Sequence, residues 1–461
     1  MAPIAARVLL LGIAGVLAWR VVALGVARYE MDQVRDGDPN AVAKALAWHS
    51  HHPEALYRLA QSKSNEDPAV SEALLKDAYV ANPADARPLM ALGKLADQAG
   101  EQSRARDLLA QALQLDPSTP RVQKAVAAYW VGQGDLGRAM QHWSLAMQAN
   151  PGEQSTLFPV FLEIAENPEA RTLLAPFAAA PPNWWNAFFT QVARRALDLE
   201  TVRFLYALRR DAHQAPIQQD ERVAYIERLQ RDGQITEAYL LWVNGLNDKE
   251  REQLGILNNG GFELDPSNVG FDWHISPSQN VTVNTARTYG SEGAQALHLL
   301  FKRREAPFNQ VHQPLFLDPA IYRLSGKVRT DGLETAGGIR WTIACTRPET
   351  LTLGSSDRFL GSSEWHEFAF EFEVSETCES QEIRLVTTGQ RPSDYKISGG
   401  AWFDTLAIRK IPAFTTPETK RKTETSAVYG VSPQPRRKAD SHGEAAEQSR
   451  EDSTTPPERR E

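Results

Sequence analysis

Catalytic chemistry shows in a sequence as reactive residues at fixed spacing, and this chain of 461 residues offers few such groups. It has no Ser-His-Asp nucleophile elbow, no phosphate loop with Lys-Ser or Lys-Thr, no His-Glu-x-x-His and no paired-cysteine metal box. Glycoside hydrolysis would need two facing carboxylates in a catalytic domain, and the two domains into which the chain divides leave no room for one. The chain is therefore expected not to be an enzyme. His49, His51 and His52 cluster around Trp48 and Pro53. Two of them could ligate a metal, but no acid or thiol partner lies at a recognised spacing, so a solvated helix end is the stronger reading. Cys345 and Cys378 are the two cysteines. A disulfide across neighbouring strand ends is geometrically reasonable, and two buried thiols are the competing reading. Both fall in the C-terminal half and none in the helical part, which favours the bond and an oxidising compartment. Eleven tryptophans supply faces for packing or for stacking on a ligand.

Composition narrows the classes further. The length predicts about three domains. Hydrophobic residues make up 42% and charged residues 23% of the chain, enough for ordinary packed cores. A net charge of −8, from 50 Lys+Arg against 58 Asp+Glu, lacks the basic balance of a nucleic-acid binder, so no nucleic-acid partner is expected. Two cysteines exclude a disulfide-rich scaffold and a four-thiolate zinc site.

The elements that must position these residues begin with an apolar stretch at 8–27. Twenty residues span about 30 Å as a helix, enough for a bilayer core. Arg20 interrupts the stretch but can snorkel to the interface along its aliphatic stem. Residues 1–30 are expected to be a transmembrane anchor or an uncleaved signal, with membrane contact through 8–27. A cleaved signal peptide is the other reading, with Gly25 and Ala27 as the small-residue pair. Arg7 precedes the stretch and Arg28, Arg35 and Lys44 follow it, so the charge count does not favour export. The disulfide argument nevertheless points to a single-pass inner-membrane protein with a periplasmic body; a cytoplasmic array is a further alternative.

Residues 31–254 carry a repeat. Pro83, Pro117 and Pro151 recur 34 residues apart. Leu92-Gly93, Gly100, Ala105, Leu109 and Ala112 match Val126-Ala127, Gly134, Ala139, Trp143 and Ala146 at equal offsets. Each unit reads as two amphipathic helices with a turn at the central glycine and a terminating proline. A degenerate pair is expected at 220–246, where Gly233, Ala238 and Trp242 keep the spacing. Residues 151–216 look helical without register, and Trp185, Phe188 and Phe189 share a helix face expected to be buried. The array resembles the tetratricopeptide repeat. That resemblance implies an α-solenoid whose concave surface holds a protein partner.

At 258–411 the period changes to two. Tyr322, Leu324, Gly326 and Val328 share one face; so do Ile339, Trp341, Ile343 and Cys345, and then Phe368, Phe370 and Phe372. One wet and one buried face over many short strands predict an antiparallel β-sandwich. Asn259-Gly260-Gly261-Phe262-Glu263 with Trp273 ten residues on, the internal Gly293–Leu299 run, and Ala401-Trp402-Phe403-Asp404-Thr405-Leu406-Ala407-Ile408 resemble the strands of galactose-binding-like, carbohydrate-binding jelly rolls. The resemblance implies that Glu263 and Asp404 help hold a structural calcium; alternatively Glu263 caps a turn and Asp404 is surface. No other cofactor is expected. Glycan binding needs exposed aromatic faces, and Trp273, Trp365, Phe308 and Tyr395, in the less regular segments, are the stacking candidates. The wet strand faces carry Arg323, Lys327, Arg329, Arg340, Glu371, Glu373 and Arg384, which suit an acidic polysaccharide or simple solvation.

Residues 412–461 are rich in Thr, Ser, Pro, Glu, Lys and Arg and are expected to be disordered. The expected fold class is thus multidomain α plus β: an N-terminal transmembrane helix, a tetratricopeptide-like α-solenoid, a C-terminal antiparallel β-sandwich of jelly-roll type, and a disordered tail. The domain pairing resembles accessory proteins of bacterial surface-polysaccharide assembly, and implies a scaffold that binds a protein and a polysaccharide. A purely protein-binding envelope assembly factor is the alternative.

Overall fold

The computed structural model describes residues 2–34, 40–212, 215–305, 307–389 and 391–412. Helices fill the first half and strands the second. Beyond Pro412, the tail expected to be disordered lies outside the described residues.

The first helix, Ala2–Gln33, contains a stretch at Arg7–Gln33 long and apolar enough to cross a membrane, and by length and composition it equally fits a signal sequence. Val8, Leu11, Val16 and Val21 are exposed, because no polar stripe divides this segment into a wet and a dry face. The last turns behave differently. Ala27 and Met31 are buried with Ala45 and Ala55, so the helix runs beyond the 8–27 stretch and docks on the residues that follow.

The repeat folds into helical hairpins. Ala86–Gln98 packs on Gln102–Leu115, and Pro120–Gly132 packs on Leu136–Ala149. Gly100 and Gly134 turn the chain with φ of 79° and 75°, a left-handed conformation open to glycine at little steric expense. Gly93 serves a different need: a β-carbon there would stand 2.9 Å from Leu109 Cγ, so a side chain would force the two helices apart. The degenerate pair is also a hairpin, Gln219–Arg231 with Ile235–Asn244. Between the regular units, Trp184, Trp185, Phe188 and Phe189 are all completely buried, as the i, i+3, i+4 spacing predicts.

The second half is a two-sheet antiparallel sandwich. Its strands are β1 (His274–Ile275), β2 (Val281–Ala286), β3 (Ala296–Glu305), β4 (Val311–Leu315), β5 (Ala320–Glu334), β6 (Ile339–Arg347), β7 (Leu351–Ser355), β8 (Gly361–Val374), β9 (Ser380–Thr387) and β10 (Lys396–Lys410). One sheet has the order β1-β4-β9-β6-β7 and the other β2-β3-β10-β5-β8. The period-two pattern fills the space between them with Leu324, Val328, Trp341, Ile343, Ile383, Leu385 and Phe403.

The two halves touch. Phe271, from the loop before β1, is part of the helical core, and Tyr239 packs against Phe316 with ring centroids 5.5 Å apart and planes tilted by 39°. Arg347, at the end of β6, donates to the carbonyls of Gln230 and Arg231 at the C-terminus of the Gln219–Arg231 helix, where a cation complements the helix dipole. Asn258 and Gln313 exchange two hydrogen bonds of 3.0 Å at the entry to the sandwich.

Candidate functional site

Two of the four stacking candidates belong to the core. Trp273 is completely buried; its ring lies 5.0 Å from Phe262 and 5.6 Å from Trp341, and its Nε1 donates to the Asn259 carbonyl. Phe308 is buried against Phe301, and its backbone N–H donates to Thr387 Oγ1. Neither offers a face to a sugar. Both sit in irregular segments, where period-two reasoning is silent about which way a side chain points. Trp365 and Tyr395 are half-buried. Tyr395 donates its hydroxyl to the Gly389 carbonyl.

Trp365 sits beside a surface that strand reading missed. Its Nε1 donates to the Tyr289 carbonyl at 2.9 Å, which fixes the loop between β2 and β3 over the outer face of the β2-β3-β10-β5-β8 sheet. Gly290 in that loop has φ of 82°, and a β-carbon there would come within 2.8 Å of the Trp365 ring. The loop thus lies flat on the indole. Tyr289 is 94% exposed. Arg329 on β5 donates to Thr288 Oγ1 and pairs in register with Trp402 on β10. Trp402 in turn stacks on His298 of β3, with centroids 3.9 Å apart and planes 19° from parallel. Burial and then the Arg329 charge lower the His298 pKa, favouring the neutral ring. Trp402, His298, Arg329, Tyr289 and Trp365 therefore form one partly exposed aromatic surface with hydrogen-bonding groups between the rings. Trp402 was legible as a last-strand residue, and its even position beside the core residues Ala401 and Phe403 is the signal that it faces outward.

Glu263 and Asp404 come together although they are far apart in sequence. A β-carbon at Gly261 would lie 3.7 Å from Glu263 Cγ and 3.9 Å from Asp404 Oδ1. Asp404 is completely buried rather than on the surface. Its carboxylate accepts the N–H groups of Glu292 at 2.7 Å and Thr405 at 2.6 Å. Glu263 accepts the N–H groups of Ala294 and Gln295. The two carboxylates thus clamp the β2–β3 loop, close to the segment that carries Tyr289. Burial pushes the Asp404 pKa up, the two N–H donors oppose the rise, and the charge of Glu263 adds to it. Asn259, Phe262 and Thr405 have positive φ of 47°, 54° and 54° at this corner, conformations that cost L-residues energy. Among the described residues no three His, Cys, Asp or Glu side chains gather as a metal group. A cation here would rely on these two carboxylates and backbone carbonyls, a hard-oxygen set compatible with calcium. It would also relieve their mutual repulsion.

Cys345 and Cys378 form a disulfide with Cα atoms 5.7 Å apart. The histidine cluster lies at a helix end: His52 caps Pro53–Lys63 by accepting the Ala55 N–H. Burial, followed by the nearby His49, lowers the His52 pKa.

A cleft of about 300 Å³ lies where the helices meet the β1-β4-β9-β6-β7 sheet, lined by Gln230, Phe271, His274, His312, Arg347 and Glu382 among others. The His274 and His312 rings stack at 5.1 Å. Burial, then Arg384, then His274 pull the His312 pKa down to about 4.

No protein-family model matches this chain, and no curated protein sequence matches it. Among solved structures, the chain is similar to one described as "CBM4 structure and function", at 13% identity over 34% of this chain and 99% of that one, with a TM-score of 0.26. It is similar to TmCBM61 in complex with beta-1,4-galactotriose, at 16% identity over 34% of this chain and 99% of the other, TM-score 0.25. It is also similar to MamA, at 20% identity over 30% of this chain and 81% of that chain, TM-score 0.24. At such scores these similarities carry no argument of their own, and the fold stands on the strands and helices described above.

Proposed function

We propose that this chain is a non-catalytic, membrane-attached binding protein of a bacterial envelope, working in the synthesis or export of a surface polysaccharide. Its hairpins would form a tetratricopeptide-type array that holds a protein partner, and its sandwich would hold glycan. The observation that carries the glycan reading is the aromatic surface: Trp402 and Trp365 stand half-exposed on one sheet, with the exposed Tyr289 between strands and Arg329 among the rings. Stacking faces beside hydrogen-bond donors are what a sugar ring requires, with apolar C–H groups on one side and hydroxyls at the rim. Membrane attachment, rather than removal of the first helix, is supported by the docking of Ala27 and Met31, which cleavage after Ala27 would divide. The Cys345–Cys378 bond suits a periplasmic body.

Affinity electrophoresis of the full chain through gels loaded with bacterial polysaccharides tests the glycan reading. Retardation by at least one polymer is expected, and Trp402→Ala with Trp365→Ala should remove it. A second reading, a purely protein-binding assembly factor, is favoured by the opposite charges set in register on the wet face: Arg323 lies across from Glu371 and Lys327 from Glu367 on β5 and β8. Mobility unchanged in every gel would select that reading.

A further inference from the structure

The β1-β4-β9-β6-β7 sheet has a second open site, at the end of β6 away from the helices. Arg347 at one end of β6 meets the helical hairpin; Arg340 lies seven residues earlier, about 23 Å along an extended strand. There a depression of about 560 Å³ is lined by Arg340, Arg358, Arg391, Asp394, Gly337 and Gly389 among others. Three arginines and one acid thus line it, and Asp394 accepts the backbone N–H of Arg391 through Oδ2 at 3.0 Å.

The arginines are not spent on ion pairs with other described residues. Among the described residues Arg340 reaches only Ser355 Oγ, through Nη1 at 3.5 Å, and its buried Nε has no partner there. Arg384 on the adjacent strand β9 differs, gripping Glu382 with two hydrogen bonds of 2.6 and 2.9 Å. The Arg340 guanidinium thus keeps hydrogen-bonding capacity that no ion pair among the described residues uses. The walls are held by backbone bonds, from Thr388 N to the Gly338 carbonyl at 3.0 Å and from Phe359 N to the Ile339 carbonyl at 2.8 Å. The floor stays bare because a β-carbon at Gly389 would lie 2.6 Å from Asp394 Cβ and 3.4 Å from the Tyr395 ring. The half-buried Tyr395 therefore adjoins Gly389, at the margin of the depression.

We propose that this depression binds the carboxylate of an acidic saccharide, with the guanidinium forks of Arg340, Arg358 and Arg391 as donors and Tyr395 as the neighbouring aromatic face. The planar fork of arginine matches a carboxylate bidentately, and an adjoining ring suits the sugar that carries it. The inference rests on the reading that the sandwich binds glycan, and adds the ligand's charge and a second location.

Calorimetry on the full chain in detergent micelles tests it with three probes: a panel of oligouronates, their neutral methyl esters, and inorganic phosphate. Oligouronate should bind at least tenfold more tightly than its ester and weaken as salt rises. Arg340→Gln should weaken it by roughly tenfold to a hundredfold, the loss expected when a charge-assisted hydrogen bond is removed. Arg358→Gln, on an exposed side chain that the fold does not need, should weaken it in the same direction. Ester and acid binding equally, with both arginine variants unchanged, would overturn the inference and leave the glycan reading standing. Phosphate binding as tightly as oligouronate would overturn the saccharide assignment in favour of a plain oxyanion site. No saccharide binding at all would overturn both.

Discussion

Asp404 shows how one side chain can be read correctly for place and incompletely for role. The resemblance pairs it with Glu263, and the fold does bring the two carboxylates to the same glycine. What sequence could not supply is that both already hold N–H groups of the β2–β3 loop, so the pair is a clamp whether or not a cation joins it. If calcium binds here, millimolar calcium should raise the melting temperature of the wild-type chain, with ligand at a hundred times its Kd contributing about 2.7 kcal/mol. Asp404→Asn should abolish the response, at a stability loss in chelator of about 1–3 kcal/mol because one of the two N–H groups then faces the amide NH2 instead of an acceptor. A wild-type melting temperature indifferent to calcium would leave the carboxylates as loop clamps alone. Trp273 and Phe308 carry the opposite lesson. An aromatic in an irregular segment has no period to report its direction, and the inter-sheet space claimed both.

Among the elements, the helix Gln219–Arg231 depends on one acid. Glu221 is completely buried. It closes the capping box on the Gln218 N–H at 2.8 Å, accepts Trp185 Nε1 at 2.8 Å, and pairs with the buried Arg209 through Nε at 2.8 Å and Nη2 at 3.2 Å. Arg209 also donates to the carbonyls of Ala178 and Pro216, both at 2.9 Å. This network ties the irregular middle of the helical half to the hairpin that meets the sandwich. Glu221→Gln leaves the Arg209 charge buried without its counter-ion, and should destabilise the chain by about 3–5 kcal/mol, measured by urea unfolding followed through tryptophan fluorescence. A loss below about 1 kcal/mol would mean that backbone carbonyls alone suffice for Arg209. The helices themselves were legible from the glycine and alanine spacing. Their buried charges were not, since Arg209 and Glu221 look like any solvated pair until tertiary packing covers them.

At the scale of the whole molecule, the helical half and the sandwich share a boundary that contains a titrating group. His312 faces His274, Arg384 and Glu382, with its Nε2 3.9 Å from Glu382 Oε2. Its folded pKa is about 4 against an ordinary 6.5. Below pH 6.5 the unfolded chain therefore binds a proton that the folded chain refuses. Stability is then full above that value and declines as pH falls from about 6.5 to about 4. Urea midpoints at pH 7, 5.5 and 4.5 should show this decline, and His312→Gln should flatten the part due to the ring. An identical slope in the variant would assign the acid sensitivity to other groups.

Local patterning was enough to lay out the architecture. A 34-residue period implies helical hairpins, a period of two implies a half-wet sandwich, and an apolar run broken only by Arg20 implies a helix with no dry side, because each depends only on neighbours along the chain. Sites belong to another category. The aromatic surface joins β3, β5, β8, β10 and the β2–β3 loop, with members more than a hundred residues apart, and the arginine depression joins β6 to three loops. Side-chain direction there depends on strand register, on bulges and on which loop folds over which sheet. Those are consequences of closing the whole core, and no window of sequence contains them.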